Sequence, residues 1–455
     1  MKGRRMAGKQ GTALRSKVFY RELNTRPPRI VRGSGIYLED DQGRRLLDGN
    51  ASAGVVGIGH GRGEIWQALT KAGDNVPFVH NGTFTHPWQE DLAEALVSIA
   101  PANIAAVYFS SGGSEANETA LKLARQYHVE RGKAQKYKAI ARWQSYHGVT
   151  LATLALSGRT SWRSLYAPYL PAVTHIAPPY PYRCALCRSE GACTLACADE
   201  LERAILLEGP ETVAVFFAEP VGGTTATGLT PNPGYYARIR EICDAYDVLF
   251  VADEVLCGYG RSGRPFAIQH WGAEPDVITL GKGIGSGYAP LAATLVSEKV
   301  LEPLARGSGR FVHGLTYSGT PVACFVGLRV FQIMQNEGLF TRAEETGDHL
   351  LARLDRLAEK HEVVGEVRGK GLLAGVEFVE DRRSRRPFPK EKDFAKDVVK
   401  EMRRLGVSIA AGVPLSNFGR DGDHVQISPP LVITTAEVDI LVDALDTALE
   451  RVVRR

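Results

Sequence analysis

The sequence predicts an α/β fold with a mostly parallel sheet and a smaller second α/β unit. Three observations carry that prediction. Between residues 61 and 325, short apolar runs alternate with helical stretches: "AAVYF", "YKAIAR", "VAVFFAEP", "VLFVADEV", "DVITLGK" and "LAATLVS". Strands separated by helices in this way pair mostly in parallel, with both faces covered. From about residue 330 the pattern changes, with a helical "LLARLDRLAEK" and strand-like "GLLAGVEFVE", "GVSIAA" and "HVQISPPLVI". Several of the earlier runs end in glycines or a charged residue. Ligands in open α/β sheets bind at the carboxyl ends of strands. The expected division is an N-terminal arm and hairpin over residues 1–60, a large unit over 61–325 and a C-terminal unit over 326–455.

The first seventeen residues carry Lys2, Arg4, Arg5, Lys9, Arg15 and Lys17 and no acid. Their few apolar residues are scattered, so a disordered arm is expected rather than a transit peptide. "GIYLEDDQGRRLLDG" reads as a hairpin turning at Asp41-Gln42-Gly43. In "VYFSSGGSEANETALKLAR" an apolar strand, Val107–Phe109, runs through Ser110, Ser111, Gly112, Gly113 and Ser114 into a helix with Leu121 and Leu123 on its apolar side. Glycines let a backbone approach a phosphate, and a helix N-terminus offers unpaired amides. The same signal alone fits an ordinary strand-to-helix turn. Tyr146 in "QSYHGVT" offers a flat ring for stacking on a planar molecule.

In "YDVLFVADEV", Asp253 stands where a buried strand should end. In "DVITLGKGIGSGYAPL", Lys282 follows the apolar run Val277–Leu280 and precedes a glycine-rich turn. A lysine delivered to a pocket in this way is a candidate for a Schiff base with a carbonyl compound. Pyridoxal 5'-phosphate needs that pairing: its aldehyde condenses with a lysine, and a carboxylate keeps its ring nitrogen protonated. Singly, Lys282 reads as a solvated loop residue and Asp253 as a turn cap.

The composition is that of a soluble globular enzyme, with 44% hydrophobic and 23% charged residues. A net charge of +4 is too small to argue for nucleic acid or a membrane surface as partner. No apolar run approaches the ~18–20 residues that span a bilayer. A cofactor-bearing DNA-binding regulator would need a basic helical domain that the short N-terminal arm cannot supply. Of the seven cysteines, Cys184, Cys187, Cys193 and Cys197 cluster in "YRCALCRSEGACTLAC". Cys-x-x-Cys resembles half of a zinc site, but only five residues separate Cys187 from Cys193. A structural loop of reduced thiols is expected, with metal binding and crosslinking as alternatives and no metal in the active site. Cys243, Cys257 and Cys324 lie in apolar stretches and read as small core residues.

Together these segments resemble the class III aminotransferases, pyridoxal-phosphate enzymes of fold type I. The matching stretches include "SGGSEANETALKLAR", "SYHG", "AEPVGGTTATGLTPNPGYY", "VLFVADEVLCGYGRSG", "PDVITLGKGIGSGYAPLAA" and "HGLTYSGTPVAC", in the family's order from about Arg29 to the C-terminus. The resemblance is nearest to the ω-aminotransferase, amine:pyruvate branch. It implies that Lys282 is the Schiff-base lysine and catalytic base, and that Asp253 pairs with the pyridine nitrogen. Val255 and Tyr146 would flank the ring, Gly112, Gly113 and Ser114 would hold the phosphate, and Glu219 would set the site's polarity. Thr316 would reach the phosphate in a neighbouring subunit. A cytoplasmic homodimer with shared sites is implied, as is an N-terminal hairpin joining a discontinuous small domain.

The implied activity moves an amino group from an amine donor or ω-amino acid to a keto acid such as pyruvate, by ping-pong chemistry. Racemase, aminomutase or decarboxylase chemistry would use the same Lys282 and Asp253. Relatives in this branch often bind the keto acid's carboxylate with a mobile arginine. Arg420 in "NFGRDGDHV" is the nearest match, one residue out of register, with Arg159 and Arg163 as alternatives. Where such relatives carry an aromatic residue, Gly54 and Val55 stand here, which would widen one end of the pocket. Phe84 and Trp88 are candidates for lining the other end.

Overall fold

Three short strands open the chain: β1 (Ile30–Ser34), β2 (Tyr37–Asp40) and β3 (Arg45–Asp48). β2 and β3 form the expected hairpin. Gly43 supplies a positive φ of 74° at its turn, and the Asp40 carboxylate accepts the amides of Gln42 and Arg44 at 3.0 and 2.9 Å. This computed structural model describes residues 17–454, apart from residue 24, residues 73–75, residue 185 and residues 188–192. The basic arm expected at the start of the chain, Lys17 aside, lies outside the described residues.

The large sheet comprises β4 (Ile104–Ser110), β5 (Lys138–Arg142), β6 (Thr174–Ile176), β7 (Val213–Ala218), β8 (Leu249–Asp253), β9 (Val277–Leu280) and β10 (Ala292–Ser297). Their order is β4-β10-β9-β8-β7-β5-β6. β10 runs antiparallel to both neighbours and the other pairs are parallel. All six runs expected as strands are strands. β6 was not expected, because three residues are too few to show a period. β7, β8 and β9 are buried at every position, which is why they read as continuous apolar runs rather than alternating ones.

A second sheet is made by β11 (Val364–Lys370), β12 (Leu373–Asp381), β15 (Ala410–Ala411) and β16 (Asp423–Ile427), with β13 (Arg386–Pro387) paired to β12. The run "GVSIAA" is not one strand. Its first part, β14 (Val407–Ser408), pairs in parallel with β3, while β15 pairs with β16. One short segment thereby joins the N-terminal hairpin to the C-terminal sheet. The strand expected across "HVQISPPLVI" stops at Ile427, because Pro429 and Pro430 have no amide to give a ladder. The helical "LLARLDRLAEK" lies within Leu339–Lys360, whose buried Leu350, Leu354 and Leu357 repeat at helical spacing. Among the described residues no helix is long and apolar enough to cross a membrane.

The core of the large sheet is aromatic behind β8. Phe250 is fully buried and stacks between Phe216, at 6.1 Å between ring centroids, and Tyr236, at 5.9 Å. This stack fixes the strand that ends in Asp253. Phe250→Ala should lower unfolding stability by about 3–5 kcal/mol, the usual cost of removing a buried phenyl ring. Denaturant unfolding measures it, and a loss under about 1 kcal/mol would contradict this packing.

Candidate active site

The carboxyl ends of β5, β7, β8 and β9 face the N-terminus of helix Gly113–Glu130 across a cavity of about 190 Å³. The helix begins after Gly112, and no side chain caps its first amides. Uncapped amides and the positive end of the helix dipole suit an anion. A Cβ on Gly113 would stand 2.6 Å from Val255 Cγ1, and one on Gly281 would stand 3.1 Å from it. Glycine at both positions lets Val255 lie against the helix start and the Lys282 turn.

Asp253 ends β8 and is buried. Its Oδ2 accepts from Asn117 Nδ2 at 2.8 Å and pairs with His147 Nδ1 at 2.7 Å, while Oδ1 accepts the Val255 amide at 3.0 Å. The Thr279 hydroxyl donates to Asn117 Oδ1 at 2.8 Å, and the second amide hydrogen of Asn117 goes to the His147 carbonyl, also at 2.8 Å. A charged Asp253 fixes the His147 tautomer with hydrogen on Nδ1 and leaves its buried Nε2 without a partner. Asn117 and His147 were not singled out in the sequence, although both lie inside recognised stretches. The spacing from Gly113 to Asn117 is one helical turn, which puts both at the cavity and was the available signal.

Lys282 follows β9 with a φ of 44°, in the left-handed region uncommon for a side-chain-bearing residue, between Gly281 and Gly283. Burial pushes its amine pKa below the usual lysine value, while Asp253 and Glu219 pull it back up. Glu219 is buried too, and burial raises its carboxyl pKa. It accepts the amides of Tyr146 at 3.1 Å and Gly223 at 2.9 Å. Buried Arg142 donates to the Glu219 carbonyl and, at 3.3 Å, to the Tyr236 hydroxyl. Tyr146 and Ser114 also line the cavity, as do Thr224 and Leu256.

Other expected residues stand elsewhere. Arg420 is exposed in the turn after Ser416. Thr316 and Phe84 are exposed, and half-buried Trp88 packs edge-on against Phe325 at 5.0 Å. None of the four lines this cavity. Gly54 does not open space: with φ at 73°, it makes room for Leu256, whose Cδ1 would stand 2.3 Å from a Cβ there. Arg163 is committed to the carbonyls of Leu154, Ala155 and Ser157. Arg159 lies over the Trp162 ring at 3.9 Å, and Trp162 meets Tyr146 edge-on at 5.9 Å. Arg159 Nε is buried without a partner, and burial brings the guanidinium pKa down to about 10.

A lysine amine, a fixed carboxylate and an uncapped helix start in one cavity is the donor set a phosphorylated pyridine aldehyde needs. The family model for aminotransferase class-III matches residues 20–449. The chain belongs to the class III aminotransferases. It is 37% identical over 436 residues to the putrescine–pyruvate aminotransferase of Pseudomonas aeruginosa, covering 95% of this chain and 92% of that one. It is 37% identical over 439 residues to the diaminobutyrate–2-oxoglutarate transaminase of Halomonas elongata, covering 94% and 91%. An amine transaminase from an uncultivated Pseudomonas species, solved in its PLP-bound internal aldimine form, superposes with a TM-score of 0.89 at 35% identity over 99% of both chains. This aminotransferase has the fold type I architecture, and pyridoxal phosphate is its cofactor.

The buried amine gives a pH test in the apoprotein. Below the depressed folded pKa of Lys282 both folded and unfolded states carry the proton, and the native state bears the full burial penalty. As pH climbs toward the unfolded value of 10.5, the penalty fades. Apo Lys282→Met should therefore be more stable than the parent near neutral pH, with the gap closing as pH rises. A gap independent of pH, read from denaturant midpoints, would contradict the assignment.

Proposed function

We propose that this enzyme moves the amino group of an amine or ω-amino acid to a keto acid such as pyruvate, in two half-reactions of the ping-pong type. The observation that carries the reading is the shared cavity of Lys282, whose amine is depressed by burial, and Asp253, whose carboxylate is locked by three hydrogen bonds. Bound pyridoxal phosphate supplies an electron sink for the carbon that carries the departing nitrogen. Lys282 would be its covalent anchor, and its free amine would take and return the proton at the reacting carbon. A depressed pKa leaves that amine a larger neutral fraction near pH 7. Asp253 holds the proton at the ring nitrogen, with Asn117 and His147 keeping the carboxylate in line. Gly112, Gly113 and Ser114 bind the phosphate, Val255 and Tyr146 clasp the ring, and Glu219 sets the polarity on the Tyr146 side.

A homodimer completes the site in this reading. Thr316 is exposed, its neighbours Val312 and Tyr317 are 62% and 66% exposed, and Val312 also lines a surface groove of about 1210 Å³ with Val129, Tyr137 and Trp143. Exposed apolar area of this extent supports a second copy as occupant, with Thr316 reaching its phosphate site. The seven free cysteines support a reducing, cytoplasmic location.

Arg159 is the favoured partner for the substrate carboxylate. It lies over Trp162, which meets the cavity residue Tyr146 edge-on; among the described residues no carboxylate is shown paired with it, and its buried Nε has no acceptor. The turn bearing Arg420 docks next to Arg159, with the Gly419 carbonyl 3.5 Å from the Thr160 hydroxyl and the Leu415 carbonyl 3.1 Å from Gln144 Nε2. Holoenzyme given a neutral amine and pyruvate should form alanine with turnover, and without a keto acid it should stop after one equivalent. Charge-assisted contacts exceed neutral hydrogen bonds in strength. Arg159→Ala should therefore raise the KM for the keto acid more than tenfold and leave that for a neutral amine nearly unchanged. The same split in Arg420→Ala instead would move the carboxylate site to that turn. Steady turnover of a chiral or carboxylated amine without any keto acid would overturn the transfer reading.

A further inference from the structure

One loop of the catalytic cavity is held from the C-terminal sheet. Residues 219–229 begin at Glu219 and carry Thr224, and both line that cavity. The loop closes on itself, with the Gly222 amide on the Leu229 carbonyl at 2.8 Å and the Gly228 amide on the Gly222 carbonyl at 2.9 Å. Its far end is gripped by two side chains. Arg368 on β11 donates from Nε to the Thr227 carbonyl at 2.9 Å, and His424 Nε2 on β16 pairs with the Thr227 hydroxyl at 3.3 Å. The backbones touch as well. A Cβ on Gly228 would stand 2.6 Å from the Arg368 carbonyl oxygen, and one on Gly375 of β12 would run into the Thr227 carbonyl. The φ of 71° at Gly228 also favours glycine.

Arg368 is buried, and its Nη1 donates to Glu366 at 2.5 Å and to Glu377 at 2.6 Å. Tyr180 donates its hydroxyl to the same Glu377, and Arg183 does so from Nε at 2.6 Å. Holding two cations and two carboxylates largely out of water is costly, and such clusters often add little stability over an apolar core. Nη2 of both arginines is buried without a partner, so this cluster is not even saturated. What it supplies is direction. A guanidinium is a rigid planar fork. With Nη1 fixed on two carboxylates, Nε is aimed at the Thr227 carbonyl.

We propose that Arg368 is a positioning residue for the active site: from the C-terminal sheet it holds residues 219–229, and through them the Glu219 carboxyl, against the Lys282 cavity. The groups set around the Lys282 nitrogen are Asp253, Glu219, Cys257 and Arg261. Of these only Glu219 belongs to the loop. Its charge raises the pKa of that nitrogen, so a loosened grip lets the pKa fall. The inference rests on the transfer reading only for the place of the cofactor on Lys282.

Titrating the holoenzyme with pH while reading the absorbance of the bound cofactor tests this, because that absorbance reports the protonation of the nitrogen at Lys282. Arg368→Lys keeps a cation beside Glu366 and Glu377 but loses the fork that reaches Thr227. Its midpoint should fall by about 0.5 pH unit or more, with cofactor content unchanged. Its kcat/KM for an amine with pyruvate should fall about tenfold or more, as misplaced active-site groups cost rate. Arg183→Lys alters the same Glu377 contact, and among the described residues Arg183 makes no hydrogen bond to residues 219–229. That variant should lower Tm and leave the midpoint unmoved. Thr227→Val removes the His424 contact and spares the ion pairs. It should move the midpoint in the same direction, and it decides the matter where Arg368→Lys does not retain the cofactor. The titration needs no substrate, so failure of the transfer reading and failure of this one are told apart. A midpoint unmoved in cofactor-bearing Arg368→Lys, or in Thr227→Val where that variant decides, would overturn the proposal. So would an equal shift in Arg183→Lys, which would make the ion cluster a purely structural one.

Discussion

A carboxylate fixed at the end of a buried strand organises this active site. Removing Asp253 from water is costly, and the protein offsets that cost with donors from three separate elements: Asn117 on the helix after β4, His147 after β5, and the Val255 amide after β8. Hydrogen bonds to a charged group contribute about 1.5–3 kcal/mol each, so the set holds the carboxylate before any ligand arrives. Thr279 on β9 extends the network by orienting the Asn117 amide. Lys282 leaves that same strand three residues later. The register of β8 against β9, in which Asp253 lies opposite Thr279, therefore also sets the reach of the lysine toward the carboxylate.

The same packing explains the glycines. Gly113 and Gly281 are needed because Val255 occupies the space their side chains would take. The helix start, the lysine turn and the strand end thus approach more closely than ordinary residues permit. Glu219, buried and held by the amides of Tyr146 and Gly223, adds a second acid whose carboxyl burial makes easier to protonate. Lys282 shares its cavity with Asp253 and Glu219, both of which pull its amine pKa up against the effect of burial.

Much of this was legible in the sequence, because the relevant signals are local. β7, β8 and β9 are buried at every position, and Asp253 ends β8 while Lys282 closely follows β9, so both could be placed from neighbours alone. The residues that hold Asp253 were not legible, since Asn117 and His147 pair with it across 136 and 106 positions. Gly54 illustrates the opposite error. A missing side chain reads as free volume, yet Leu256 fills that volume from a distant part of the chain. Arg420 and Arg159 could not be ranked by motif spacing. Burial and an unpartnered Nε distinguish them only once the chain is folded. The break in "GVSIAA" has the same origin, because its two halves serve different sheets.

The account stands on one covalent claim, that the amine delivered by β9 carries the cofactor. Borohydride reduction of the holoenzyme, followed by proteolysis and mass spectrometry, reads that claim directly. The account predicts the reduced cofactor on the peptide containing Lys282 and on no other lysine, with labelling abolished in Lys282→Met. Label on a different lysine, or cofactor released intact from a reduced and fully active protein, would contradict it.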